Sequence, residues 1–124
     1  FPKNVAFTDS ISDMPALYNS SDLVIFPAEN LKGKFDIPLV IIEAYACGKP
    51  VILSDLEQFQ EFANRDICVT IPKSSPEKLM QSVAYLRENT QELERLGANA
   101  RRFVKDHFDL KNTARQYEKI YDSL

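Results

Sequence analysis

The sequence is short of most residues that mark a specialised environment, and each shortage excludes something. It has two cysteines, Cys47 and Cys68, both inside apolar runs. That pattern excludes a disulfide framework or a paired metal site and predicts reduced core thiols, as in a cytosolic protein. The single histidine, His107, lies between Asp106 and Phe108 with no metal-ligating partner at a suitable spacing, so it is expected on a helix surface. Positive charge is not in excess: 15 Lys and Arg stand against 18 Asp and Glu, a net charge of −3. A nucleic-acid binder would carry a basic domain, so no nucleic-acid partner is expected. No apolar run approaches the roughly 18 residues needed to cross a bilayer, and no secretory signal is visible at Phe1. The expected location is cytoplasmic.

What is present is ordinary globular material: 124 residues, 44% hydrophobic and 27% charged. That is one domain's worth of chain, able to bury roughly two-thirds of its unfolded surface. Its organising stretch runs from Gly33 to Ser54. Pro38 suits the first turn of a helix, Gly48 supplies a left-handed closing residue, and Pro50 stops continuation. Between them Leu39, Val40, Ile41, Ile42, Ala44, Tyr45, Ala46 and Cys47 are apolar almost all round, which predicts a helix buried on most sides. Glu43 interrupts it. A carboxylate there is either paired to a neighbour such as a lysine, set on one wet edge, or turned towards a cleft.

Elsewhere, apolar strands alternate with helical segments. Asn4–Phe7, Leu23–Phe26, Val51–Leu53 and Ile67–Ile71 read as strands. Asp13 or Ser12 is a cap for a short helix bearing Met14, Leu17 and Tyr18, with Pro15 in its first turn. Ser54-Asp55 is a candidate cap for a helix through Phe62, with Phe59 and Phe62 inward. The alternation predicts an α/β fold of βαβ units on a parallel sheet over residues 1–72. Residues 73–124 read as three amphipathic helices wrapped over the sheet as a layer. The first starts at Ser75-Pro76, the second follows a capping box at Asn89 and Glu92, and the third is capped by Asp109. The third carries Leu110, Ala114, Tyr117, Ile120 and Tyr121. Basic residues on these helices are nearly matched by acidic ones, the mark of a solvated face rather than a membrane-binding one.

The wording Pro38-Leu-Val-Ile-Ile-Glu43-Ala-Tyr-Ala-Cys-Gly48-Lys-Pro-Val closely resembles the donor-binding segment of the group 1 (family 4) glycosyltransferases. There the segment reads Gly-Phe-Gly-Leu-Pro, apolar residues, then Glu-Ala-Met-Ala-Cys-Gly-x-Pro-Val. The resemblance extends along essentially the whole chain. It includes Leu17-Tyr18 before Ser21-Asp22 and a buried strand, Glu61 after the next strand, and the helix start Ser75-Pro-Glu-Lys-Leu. It implies a single, partial Rossmann-like nucleotide-sugar-binding domain over 1–124, the C-terminal half of a GT-B fold. The implied activity is that of a retaining transferase moving a hexose-type sugar from a UDP- or GDP-sugar, with no metal required. By resemblance Glu43 binds the ribose hydroxyls and Ile11 lies at the base edge. Asp36 or its neighbours meet the sugar, and Asp36 is the one catalytic candidate.

Departures accompany the match. The family places a second Glu eight residues before the ribose-binding one, where this chain has Phe35. The usual Gly-rich turn near the donor phosphate is Lys34-Phe35-Asp36-Ile37, which lacks the backbone freedom of glycine. Lys34 could supply charge there, or be a solvated loop lysine. Asp9 stands where the family has Gly. The Arg and Lys that clamp the diphosphate after the family's first strand have no counterpart here, and the segment around Phe1 reads as cut from something longer. The expectation is therefore that this chain alone is inactive and needs an N-terminal acceptor domain or a companion chain. Any membrane contact, peripheral at the cytosolic face, would come through those parts. The alternatives are a non-catalytic GT-B-derived scaffold or interaction module, or another enzyme of nucleotide sugars such as an epimerase.

Overall fold

The computed structural model describes residues 2–33 and 38–124. In order these form α1 (Met14–Ser20), β1 (Val24–Phe26), α2 (Leu39–Ala46), β2 (Val51–Ser54), a short 3-10 helix (Glu57–Phe62), β3 (Cys68–Ile71), α3 (Pro76–Glu88), α4 (Thr90–His107) and α5 (Leu110–Asp122). The three strands pair in parallel in the order β1-β2-β3, with Ile25 opposite Ile52 and Ile52 opposite Val69. Parallel neighbours joined by crossovers cover both faces of the central strand β2, which is buried at every position, whereas the edge strand β1 is open on one side, with Ile25 42% exposed. Its alternation divides the core. Val51 and Leu53 join Tyr18, Ile41, Tyr45, Phe59, Phe62 and Val104 on one side, while Ile52 meets Ile71, Leu86 and Leu96 on the other. This Rossmann-like sheet with flanking helices is the α/β architecture the alternation predicts.

Local choices follow local chemistry, with instructive exceptions. Asp13 caps α1, its Oδ1 accepting from the Ala16 N–H at 3.0 Å, and Asp109 caps α5 through the Asn112 N–H. Asn4–Phe7, predicted as a strand, is not one. The Val5 N–H bonds the Pro2 carbonyl in a turn, and no described strand lies alongside for the segment to pair with. Asp55 does not cap a helix either; its N–H bonds the Ile71 carbonyl at 2.7 Å and prolongs the β2–β3 ladder, so the 3-10 helix starts from Leu56. Phe59 and Phe62 are nonetheless fully inward.

The capping box at Asn89 is not formed. The Asn89 N–H already closes α3 on the Tyr85 and Leu86 carbonyls, so Glu92 has no free cap amide to reach. Glu92 instead holds Arg95 with two short bonds, 2.7 and 2.8 Å, a charge-assisted fork stronger than a bond to a neutral amide. Ser75 stands at the start of α3 ahead of Pro76, but its side chain makes no capping bond. The helical layer is also incomplete. α3 packs on β3, and α4 packs on α2 and α3, while α5 leans chiefly on α4 and buries no residue. Leu110 (81% exposed), Tyr117, Ile120 and Tyr121 therefore face outward. His107 is exposed as expected, stacked on Phe103 at 4.4 Å with Nδ1 near the Phe103 carbonyl. Cys47 and Cys68 are free thiols.

Candidate functional site

The site is built on α2, whose two ends are set by backbone chemistry. Pro38, extended at φ −69° and ψ 111°, leads into Leu39. At the other end Gly48 adopts φ +70°, its N–H bonds the Tyr45 carbonyl, and the Lys49 N–H bonds that of Ala44. Such a closure needs a residue tolerant of the left-handed region. The helix seats one face only. Ile41, Ala44 and Tyr45 are buried, with the Tyr45 hydroxyl donating to the Phe62 carbonyl at 2.8 Å and its ring edge-on to Phe103. The other face is open: Leu39 (69% exposed), Val40, Glu43 and Ala46 line it at helical spacing. The expectation of a helix buried on most sides is corrected here. α2 sits between the sheet and α4, and nothing among the described residues covers its outer side.

Glu43 therefore stands exposed, with two apolar side chains beside it. Its partner is not a cation. The Tyr18 hydroxyl donates to Glu43 Oε2 at 3.1 Å and lies 3.4 Å from the Val40 carbonyl, one helical turn earlier. Among the described residues Glu43 makes no ion pair, and the nearby Lys49 ammonium bonds the Asn19 carbonyl instead. Tyr18 is 3% exposed, its ring in the core and its hydroxyl at the boundary of the open face. Burial, then the hydrogen bond to Glu43, pushes its phenol up to about 12, so it remains a donor across the neutral range. Burial likewise raises the Tyr45 phenol, with the Cys68 thiol beside it adding to the effect.

Both shifts have the same sign, and a pH dependence follows. A tyrosine titrates near 10 in the unfolded chain. The stability that depends on keeping these two phenols protonated is intact below about pH 10 and is lost as pH rises through 10 towards the folded values. Urea unfolding is expected to show a lower midpoint at about pH 11.5 than at about pH 9, and the Tyr18→Phe/Tyr45→Phe double variant a smaller drop. An equal drop in both proteins would assign the effect to lysines instead.

Of the other residues singled out in the sequence, Ile11 is half-buried in the loop leading into α1. Lys34, Phe35, Asp36 and Ile37 lie outside the described residues. The structure thus brings Glu43 together with Tyr18, a residue the sequence marks as part of an apolar helix face and of the family resemblance but not as a site residue. The strands all end towards one edge, where Pro27, Glu29, Ser54, Pro72, Ser74 and Ser75 help to line a cavity of about 150 Å³. There Ser74, at φ +56°, donates to Glu29 Oε1 at 2.9 Å. Among the described residues no three His, Cys, Asp or Glu side chains converge to hold a metal ion. No described helix is long and apolar enough to cross a membrane.

Comparison with known proteins extends these observations. The chain is 26% identical over 110 residues to the uncharacterized glycosyltransferase MJ1069 of Methanocaldococcus jannaschii, a match covering 88% of this chain and 27% of that protein. Its fold is similar to that of Alr3699/HepE of Anabaena in complex with UDP, with a TM-score of 0.82 at 23% identity over 92% of this chain and 31% of the other. The UDP-glucose complex of the same protein gives 0.75 at 23% identity, over 87% of this chain and 29% of that one. Sucrose-phosphate synthase from Thermosynechococcus elongatus gives 0.75 at 24% identity, covering 86% of this chain and 26% of that enzyme. The chain thus spans about three-tenths of the length of the proteins it resembles. The model of the family Glycosyl transferases group 1 matches residues 1–89. With most of its length inside that match, on a Rossmann-like sheet of the GT-B kind, the chain belongs to the group 1 glycosyl transferases.

Proposed function

We propose that this chain is the nucleotide-sugar-binding part of a retaining glycosyltransferase, and that Glu43 accepts the hydrogen bonds of the donor's ribose hydroxyls. The observation that carries this reading is the state of Glu43: an exposed carboxylate on the open face of a seated helix, held by a neutral phenol and, among the described residues, not neutralised by a cation. A vicinal diol needs two acceptor positions, and a carboxylate with one hydrogen bond filled still offers them. Leu39 and Val40 beside it give an apolar border of the kind ligand sites combine with a few polar groups. The similarity to a protein holding UDP and UDP-glucose supports the same ligand class here.

In this reading Ile11 lies at the base edge. Asp36 or its neighbours Phe35 and Ile37 bind the sugar, with Asp36 the candidate for a catalytic contact, and Lys34 supplies charge for the diphosphate without a metal. A hexose-type sugar is transferred, and the acceptor is bound by a further domain or chain, without which the present residues are inactive.

The test is calorimetric titration of UDP- and GDP-sugars, in EDTA, into the complete protein and its Glu43→Ala variant. A hydrogen bond to a charged group is worth roughly 1.5–3 kcal/mol, so the variant is expected to bind about tenfold more weakly or worse. Absence of binding by the wild type would favour a scaffold derived from the same fold, consistent with Phe35 in place of the family's second Glu. Binding that needs a divalent ion would overturn the metal-free part of the reading.

A further inference from the structure

We propose that Tyr18 is a positioning residue for the donor's ribose, holding the Glu43 carboxylate in the rotamer that presents both acceptor positions to the diol. The proposal rests on the reading of Glu43 as the ribose acceptor and adds the group that orients it. An exposed glutamate on a helix has three rotatable bonds and, left alone, spreads over many rotamers. Here one oxygen is tied down. The Tyr18 hydroxyl reaches Glu43 Oε2 at 3.1 Å from a different helix, across 25 positions of sequence. The ring that carries it is 3% exposed and packed in the main core cluster, so the anchor is seated in the core while the carboxylate it holds stands at the surface.

The stoichiometry is suited to the task. A phenol has one proton, and between Oε2 at 3.1 Å and the Val40 carbonyl at 3.4 Å the charged, nearer acceptor takes it. Among the described residues one lone pair of Oε2 is then filled, and its second lone pair and Oε1 remain for the two ribose hydroxyls. A lysine or arginine in this place would compete with the ligand by offering several donors and neutralising the charge. A phenol orients without neutralising. Because α1 and α2 meet through this bond, the loop carrying Ile11 ahead of α1 is also referenced to the carboxylate.

The experiment is a comparison of ribonucleotide and 2′,3′-dideoxyribonucleotide affinity. UDP and GDP, each with its dideoxy analogue, are titrated into the complete protein as wild type, Tyr18→Phe and Glu43→Ala. Tyr18→Phe keeps the buried ring and is expected to weaken ribonucleotide binding roughly fivefold, with dideoxynucleotide binding unchanged. If both ligands weaken equally, or only the unfolding midpoint falls, Tyr18 is a structural residue and the proposal is overturned. If Glu43→Ala preserves the preference for ribose, or the wild type binds neither nucleotide, the reading of Glu43 fails and this one with it. Loss of the preference in Glu43→Ala but not in Tyr18→Phe rejects the positioning role alone. Should Tyr18→Phe not fold, a fluorinated tyrosine at position 18 replaces it, because its phenol ionises nearer neutrality. Ribonucleotide affinity is then expected to fall as pH rises through that ionisation while dideoxynucleotide affinity stays flat, and two flat profiles overturn the proposal.

Discussion

Tyr45→Ala is expected to cost about 5 kcal/mol of folding stability, enough to leave little folded protein at ambient temperature. Tyr45 is fully buried on the inner face of α2, two residues from Glu43. Its removal opens a cavity the size of an aromatic ring, for which alanine substitutions cost about 3–5 kcal/mol. It also strands the Phe62 carbonyl, whose bond to the phenol is 2.8 Å long, a further loss of about 1–3 kcal/mol. Tyr45→Phe isolates the second part and is expected to cost only about 1–2 kcal/mol. The comparison with methionine is informative, since methionine is what the family's segment usually carries at this position. Tyr45→Met restores the family wording yet is expected to destabilise this protein. The Phe103 edge at 6.5 Å and the Phe62 carbonyl are both arranged around a phenol. Denaturant unfolding of the three variants checks the series; a loss below about 2 kcal/mol for Tyr45→Ala would mean the core collapses into the space.

Gly97→Ala is expected to lower the melting temperature by on the order of 10 °C, the reverse of what a helical glycine ordinarily predicts. Replacing glycine by alanine inside a helix normally gains close to 1 kcal/mol. Gly97, however, is the point at which α4 meets the turn that closes α2. A Cβ there would collide with the Gly48 carbonyl and lie 3.5 Å from Pro50 Cδ. That carbonyl belongs to backbone, and Gly48 is held at φ +70° by the bonds that end α2, so it has no inexpensive way to retreat. α4 must lift off α2, an overpacking cost of about 2–3 kcal/mol. Because α4 backs the helix that carries Glu43, the proposed function adds that nucleotide affinity falls with stability in this variant. Thermal unfolding decides it, and an unchanged or higher midpoint would show that the two helices are not in the close contact described.

The two substitutions also separate what is local from what is not. Pro38, Gly48 and Pro50 bound α2 in the sequence as they do in the fold, because proline and glycine act on their own backbone wherever they stand. The runs Leu23–Phe26, Val51–Leu53 and Ile67–Ile71 mark the three strands to within a residue or so, and Phe59 and Phe62 an inward pair, although only the central strand is buried on both sides and Ile25 on the edge strand is exposed. The family was legible too, from the words around Glu43. By contrast, Asn4–Phe7 has strand-forming residues but no strand, because a strand is a relation between two segments. The capping box at Asn89 had the right letters, but its amide was already used by the preceding helix. The outward face of α5 and the open side of α2 depend on what packs against each helix, which periodicity does not specify. Tyr18 and Glu43, and Gly97 and Gly48, meet across long separations in the chain. The sequence by itself determined the start of α1 and of α5, both ends of α2, the three paired strands and the family. Only the tertiary structure decided which side chain hydrogen-bonds the carboxylate and where two backbones touch, because contacts between distant segments arise from the packing of whole elements and leave no local pattern to read.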